Sequence, residues 1–253
     1  MLLLLCMFIV CICVWSQSRD HEMMYDSRAY VINMDRHADR LSLIQHKYDA
    51  SDVRSELGAL RRVRAIDGTM ADWTPVVHPD SLGPLQRVSR TGKRIAHEEL
   101  TPGAVGCYLS HLAVWTEFLR SHKSRALVFE DDADIKPDTM SRMMTCIAEL
   151  PDDWDLLLLG WENTGQSVPH GHHTSRVTGF ARTHAYVISD RCARRLLPAM
   201  LPMKVQVDWA ITSMIPIWDL KVFGASPCVT NVSFQGTSIQ TPFESADDTT
   251  GSG

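Results

Sequence analysis

The chain has 253 residues, 45% of them hydrophobic and 22% charged, with a net charge of −5 and a sequence pI near 6.1. That is ordinary globular composition, long enough for one sizeable α/β core. The acidic balance excludes a general nucleic-acid binder.

Leu2 to Trp15 is an almost unbroken apolar run followed by SQSRDHE. It is shorter than the roughly 20 residues of a full membrane span. Residues 1–16 therefore read as a signal peptide or a short signal anchor, with membrane attachment through 2–15 if the segment is retained. A buried N-terminal element is the bland alternative. Of seven cysteines, Cys6, Cys11 and Cys13 belong to this leader, while Cys107, Cys146, Cys192 and Cys228 are widely spaced without a CxxC pair. The spacing argues against a zinc site and for buried free thiols, with a disulfide open only in a lumenal domain.

The globular domain is expected over 26–243. Ala29–Met34 predicts a strand, followed by a helix through Leu41, Ile44 and Tyr48. Arg61–Ile66 predicts a second strand, ending at the turn dipeptide Asp67-Gly68. From Met70 to Leu100 apolar periodicity is weak, and Pro75, Pro79, Gly83, Pro84 and Gly92 predict a long irregular loop. The basic run RVSRTGKR (87–94) lies in it and reads as solvated. Thr101-Pro102 opens a helix, with a core stripe of Tyr108, Leu112, Trp115 and Leu119. Gly103, Gly106 and Ser110 form a second face suited to close approach.

Residues 126–134 read ALVFEDDAD, a buried strand running into Glu130, Asp131, Asp132 and Asp134. Adjacent carboxylates repel and raise one another's pKa unless a positive charge joins them. An oxygen-only set suits a hard divalent cation, and ligands of open α/β sheets bind beyond strand carboxyl ends. A helix is predicted over 138–150, a strand over WDLLLLG (154–160), and a loop over 161–175 whose His170, His172 and His173 lack metal-site spacing. Strand 185–188, helix 190–200 and helix 207–215 complete the pattern. Continuous apolar strands alternating with helices predict an α/β fold, a mainly parallel sheet with helices on both faces. The last residues, 244–253, read as a disordered tail, and Asn231-Val232-Ser233 is an N-glycosylation acceptor, meaningful only in a lumenal domain.

The blocks AYVINMDRHADRL (29–41), RVRAIDG (62–68), LTPGAVGCYLSHLAVW (100–115), ALVFEDDADI (126–135), WDLLLLG (154–160), THAYVISDRCARRLL (183–197) and VDWAI (207–211) resemble glycosyltransferase family 25 in order and content. That family contains lipooligosaccharide galactosyl- and glucosyltransferases, enzymes of lipopolysaccharide biosynthesis, and collagen hydroxylysine galactosyltransferases. The resemblance implies a GT-A-like, Rossmann-type fold and inverting transfer of a hexose from UDP-galactose or UDP-glucose, with Mn²⁺ or Mg²⁺ as cofactor. The acceptor would be a glycan, a lipid-linked glycan or a hydroxylysine-type protein. Glu130 and Asp132 become the metal ligands through a DxD-type motif. Asn33, Arg36, Arg40, Asp67, Gly68, Ser110, His111 and Asp131 become donor-site residues, although solvated arginines, a plain turn and a core histidine compete as readings. Asp134 reads as a solvated turn residue. An inverting transfer needs a base. Asp208 is the candidate, against a plain helix N-cap role, with Glu162 as the alternative. The leader favours the lumen of the endoplasmic reticulum or Golgi. A cytoplasmic, membrane-associated enzyme follows if it is not a targeting signal.

Overall fold

The computed structural model describes residues 26–96 and 99–233. The readings of 1–16 and 244–253 lie outside these residues. Among the described residues no helix is long and apolar enough to cross a membrane.

Strand β1 (Ser27–Asn33) leads into helices α1 (Ala38–Asp49) and α2 (Asp52–Leu57), then β2 (Arg61–Arg64). Helices α3 (Pro79–Thr91) and α4 (Pro102–Arg120) precede β3 (Arg125–Glu130) and α5 (Thr139–Ile147). Strands β4 (Leu156–Asn163), β5 (Ser167–Pro169), β6 (Thr174–Val177) and β7 (Phe180–Ser189) follow. Helices α6 (Asp190–Leu196) and α7 (Val207–Trp218) and strand β8 (Val222–Ala225) end the series. The sheet order is β2-β1-β3-β7-β4-β8-β6-β5. β1 is parallel to β2 and β3, and β4 to β8. β7 runs against both β3 and β4, and β6 against β5 and β8. The α/β class is as expected, a mixed sheet in which most strands share one direction, with β7 reversed in its middle and β6 reversed near one edge.

Alternation along each strand divides two cores. Tyr30, Ile32, Val128, Leu158 and Tyr186 face α4, α6 and α7. Ala29, Val31, Phe129, Leu159 and Val187 face α1, α2 and α5. Thr101 Oγ1 accepts the Ala104 amide at 2.9 Å and starts α4 as its sequence predicted. Asp52 caps a different helix from outside, accepting Met140 N and Ser141 N at the start of α5.

The expected loop over 70–100 is corrected: its centre is helix α3. Pro79 occupies the first helical turn, where no amide bond is lost, and His78 Nδ1 accepts Asp80 N at 3.3 Å. Leu85 and Val88 are buried, Leu85 within the core on the α4 side of the sheet, and left-handed Gly92 (φ 68°) closes the helix. Burial of that short stripe outweighs the proline signals. Part of RVSRTGKR lies on this helix, and Arg87 pairs with Glu99 at 2.5 Å. The expected loop over 161–175 instead contains the end of β4, β5 and the start of β6. Glu149 accepts the amides of His172 and His173 and the hydroxyl of Thr174, holding the hairpin turn. The expected helix over 190–200 ends at Leu196 and tightens to a 3₁₀ turn over Leu197–Ala199, because Pro198 cannot continue the amide ladder.

Candidate active site

The carboxyl ends of β1, β2 and β3 open into one cavity lined by Asn33, Arg36, Arg40, Asp67, Gly68, Ser110, His111, Glu130, Asp131 and Asp132, with Cys107 beside them. Asp208 does not line it, though its charge reaches Glu130.

Two glycines let α4 approach the β2 end. A Cβ on Gly68 would overlap Pro102 O and lie 2.5 Å from Gly106 N, and one on Gly106 would lie 2.7 Å from Gly68 N. Ser110 stitches the same contact, donating to Gly106 O at 2.6 Å and accepting Ile66 N at 2.8 Å. Its hydroxyl is thus engaged in positioning the cavity wall.

The walls carry both charges. Arg36 pairs with Asp67, whose carboxyl is held low by hydrogen bonds from Thr69 and then by Arg36. Buried Asn33 donates to Asp131 Oδ2 at 2.8 Å, and Arg40 lies 3.4 Å from Asp131 Oδ1. Burial raises the Glu130 carboxyl, but hydrogen bonds from His111 and Thr183 outweigh it and hold it below the usual range. Asp132 has no such partner. Burial and the charges of Glu130 and Asp131 push its pKa up to about 7, and its buried Oδ1 makes no hydrogen bond. An orphaned carboxylate oxygen beside two further carboxylates fits a hard divalent cation held by Glu130 and Asp132. Asp134 is corrected from a solvated residue: it pairs with Lys47 at 2.7 Å and Lys136 at 2.5 Å. Residues 229–233 fold back along this loop, with Ser233 N donating to Asp132 O at 2.7 Å. Asn231 is exposed there.

Sequence reasoning missed Thr183, Tyr186 and Trp115. Trp115 Nε1 donates to the Tyr186 hydroxyl at 2.9 Å, and that oxygen lies 2.9 Å from His111 Nδ1. With one hydroxyl proton available, Tyr186 donates to Nδ1, leaving Nε2–H to face Glu130 Oε1 at 3.3 Å. Thr183 donates to the same oxygen at 2.9 Å. The polar Thr183-His184 pair in an apolar strand was the available signal, but only the reversal of β7 places it beside Glu130.

Asp208 begins α7, and its carboxylate accepts Trp209 N at 2.9 Å and Arg182 N at 3.0 Å. Burial raises its pKa, the two amides lower it in part, and Glu130 raises it further. Arg182 adopts φ 74° and pairs through Nε with exposed Glu162 at 3.1 Å. Both candidate bases therefore meet at one residue. His170 is turned away from any metal role, contacting Glu149 O at 3.0 Å and the Phe223 ring. Cys107, Cys146, Cys192 and Cys228 are free thiols. Cys107 is pushed well above its usual pKa by burial and by Glu130, Asp208 and Asp132.

Comparison with known proteins agrees with the resemblance. The chain is 27% identical over 220 residues to procollagen galactosyltransferase 1 of Danio rerio, covering 78% of this chain and 35% of that one. It is 34% identical over 116 residues to the inactive glycosyltransferase 25 family member 3 of Mus musculus, covering 41% and 20%. The chain thus spans about a third or less of these relatives. Among solved structures, the mannose-1-phosphate geranyltransferase of Thermus thermophilus aligns with TM-score 0.41 at 12% identity, covering 79% and 73%, too distant to carry an argument. The family model described as glycosyltransferase family 25 (LPS biosynthesis protein) matches residues 26–211, and the chain belongs to that family.

Proposed function

We propose that this chain is a metal-dependent inverting glycosyltransferase that moves a hexose, galactose in the first instance, from a UDP-sugar to a hydroxyl of a glycan or protein acceptor. The observation that carries the reading is Asp132, a half-buried carboxylate with one buried, unpartnered oxygen in the cavity at the strand ends. Glu130 and Asp132 would hold Mn²⁺ or Mg²⁺, which when bound supplies Lewis-acid stabilisation of the departing diphosphate. Arg36 and Arg40 offer charge-assisted bonds to phosphate oxygens, and Asp67 accepts from the nucleoside. Asp208, with its raised pKa, takes the proton of the attacking hydroxyl. The procollagen galactosyltransferase relatives and the apolar leader together support a protein acceptor in the secretory pathway.

Release of UDP from UDP-galactose and UDP-glucose, with and without manganese, over hydroxylysine peptides, free sugars and lipid-linked glycans, tests the reading. Asp208→Asn is expected to lower kcat about 10²–10⁴-fold with little change in donor KM. Equal loss in Glu162→Gln with a silent Asp208→Asn would move the base to Glu162. The similarity to relatives named as inactive favours a second reading, a sugar- or nucleotide-binding module without turnover. UDP-sugar binding with no UDP release under any condition would establish it.

A further inference from the structure

We propose that Cys107, His111 and Glu130 form a cation site for zinc and other thiophilic divalent ions, set in the wall of the donor cavity beside the carboxylate pair.

Their ligating atoms all lie within 4.8 Å of one another. Cys107 and His111 stand one turn apart on α4, on the same helix face. Glu130 reaches them from the end of β3, with His111 Nε2 already 3.3 Å from Oε1. Tetrahedral zinc, with bonds of about 2.0–2.3 Å, holds its ligand atoms about 3.3–3.8 Å apart, so modest side-chain rotation closes the set. All three residues line the cavity, which leaves a fourth position for water or a ligand.

The surrounding groups suit such a site. Tyr186 contacts His111 Nδ1 and Thr183 contacts Glu130, so two of the three ligands are oriented from behind. The nearby carboxylates of Asp132 and Asp208 favour a positive ion at Cys107. A sulfur and an imidazole select zinc or cobalt over magnesium and manganese. Binding releases one proton, from the Cys107 thiol. A second proton moves from Nε2 to Nδ1, so the ring stays neutral, and the Tyr186 hydroxyl turns from donating to Nδ1 to accepting a hydrogen bond from it. Cysteine spacing alone does not reveal this set, because the third ligand comes from a different element.

The site also shares Glu130 with the hard cation, and this consequence rests on the transferase reading: zinc draws Glu130 away from Asp132 and inhibits. The test of the site itself needs no activity. Titrating the full chain with Co²⁺ should produce a near-ultraviolet thiolate-to-cobalt charge-transfer band that zinc abolishes by displacement. The band should vanish in Cys107→Ser and persist with about 10–100-fold weaker affinity in Tyr186→Phe. In the unmodified chain, zinc should protect Cys107 from alkylation, read by peptide mass spectrometry, which decides the matter if Cys107→Ser does not fold. Cobalt bound without the band, an unchanged band in folded Cys107→Ser, or alkylation of Cys107 indifferent to zinc would each overturn the site. A chain that never releases UDP would sink the transferase reading while leaving the cobalt result standing.

Discussion

Two aspartates, one buried and one half-buried, lie at opposite ends of the sheet and behave in opposite ways. Asp155, at the start of β4, is 1% exposed and fully engaged: Oδ1 accepts Arg191 Nη2 at 2.8 Å and Oδ2 accepts Lys221 N at 2.9 Å. Asp132, past the end of β3, is half-buried, yet one of its oxygens is buried without a partner and its neighbours are carboxylates. A carboxylate with both oxygens hydrogen-bonded is part of the scaffold, whereas one with a buried oxygen left without a partner points to a ligand. The fold keeps the first kind away from the cavity and the second kind at its rim.

The largest test of that contrast is Asp132→Ala. It should cut UDP release about 10²–10³-fold, the scale of losing one electrostatic stabiliser, while thermal unfolding without metal stays level or rises because repulsion with Glu130 and Asp131 is relieved. Near-wild-type, metal-dependent turnover would end the assignment. Asp155→Ala should do the reverse, costing about 1–3 kcal/mol and lowering Tm by about 3–10 °C, with turnover per folded molecule unchanged. A catalytic defect at full stability would erase the distinction. The smallest effect is in pH. Asp132 titrates near 3.8 when unfolded and about 7 when folded, so the folded state holds its proton over a range where the unfolded chain has lost it. Its contribution to stability is complete below about pH 4 and is lost as pH rises through about 7. Urea unfolding should show that decline in the metal-free chain, and Asp132→Asn should flatten it.

Much of the site was legible because its residues sit in short local blocks. The ALVFEDD strand end, the Thr101-Pro102 helix start and the Gly106 approach each depend on neighbours a few residues apart, and ten of the expected donor and metal residues line one cavity. Their roles are proposals that the experiments above decide. What was misread is equally specific. Pro79 looked like a loop residue but begins α3, since proline is as compatible with a first helical turn as with a coil. The β5–β6 hairpin was hidden because β5 is exposed and has no apolar alternation to reveal it.

By itself the sequence determined the elements whose signals are local: caps, apolar periods, and the acidic run after β3. Tertiary structure alone decided which way β7 runs, because hydrophobic alternation is the same in either direction. That reversal carries Thr183 to Glu130 and Tyr186 to His111. It also sets Arg182 N against Asp208, joining residues far apart in the chain by pairing between strands.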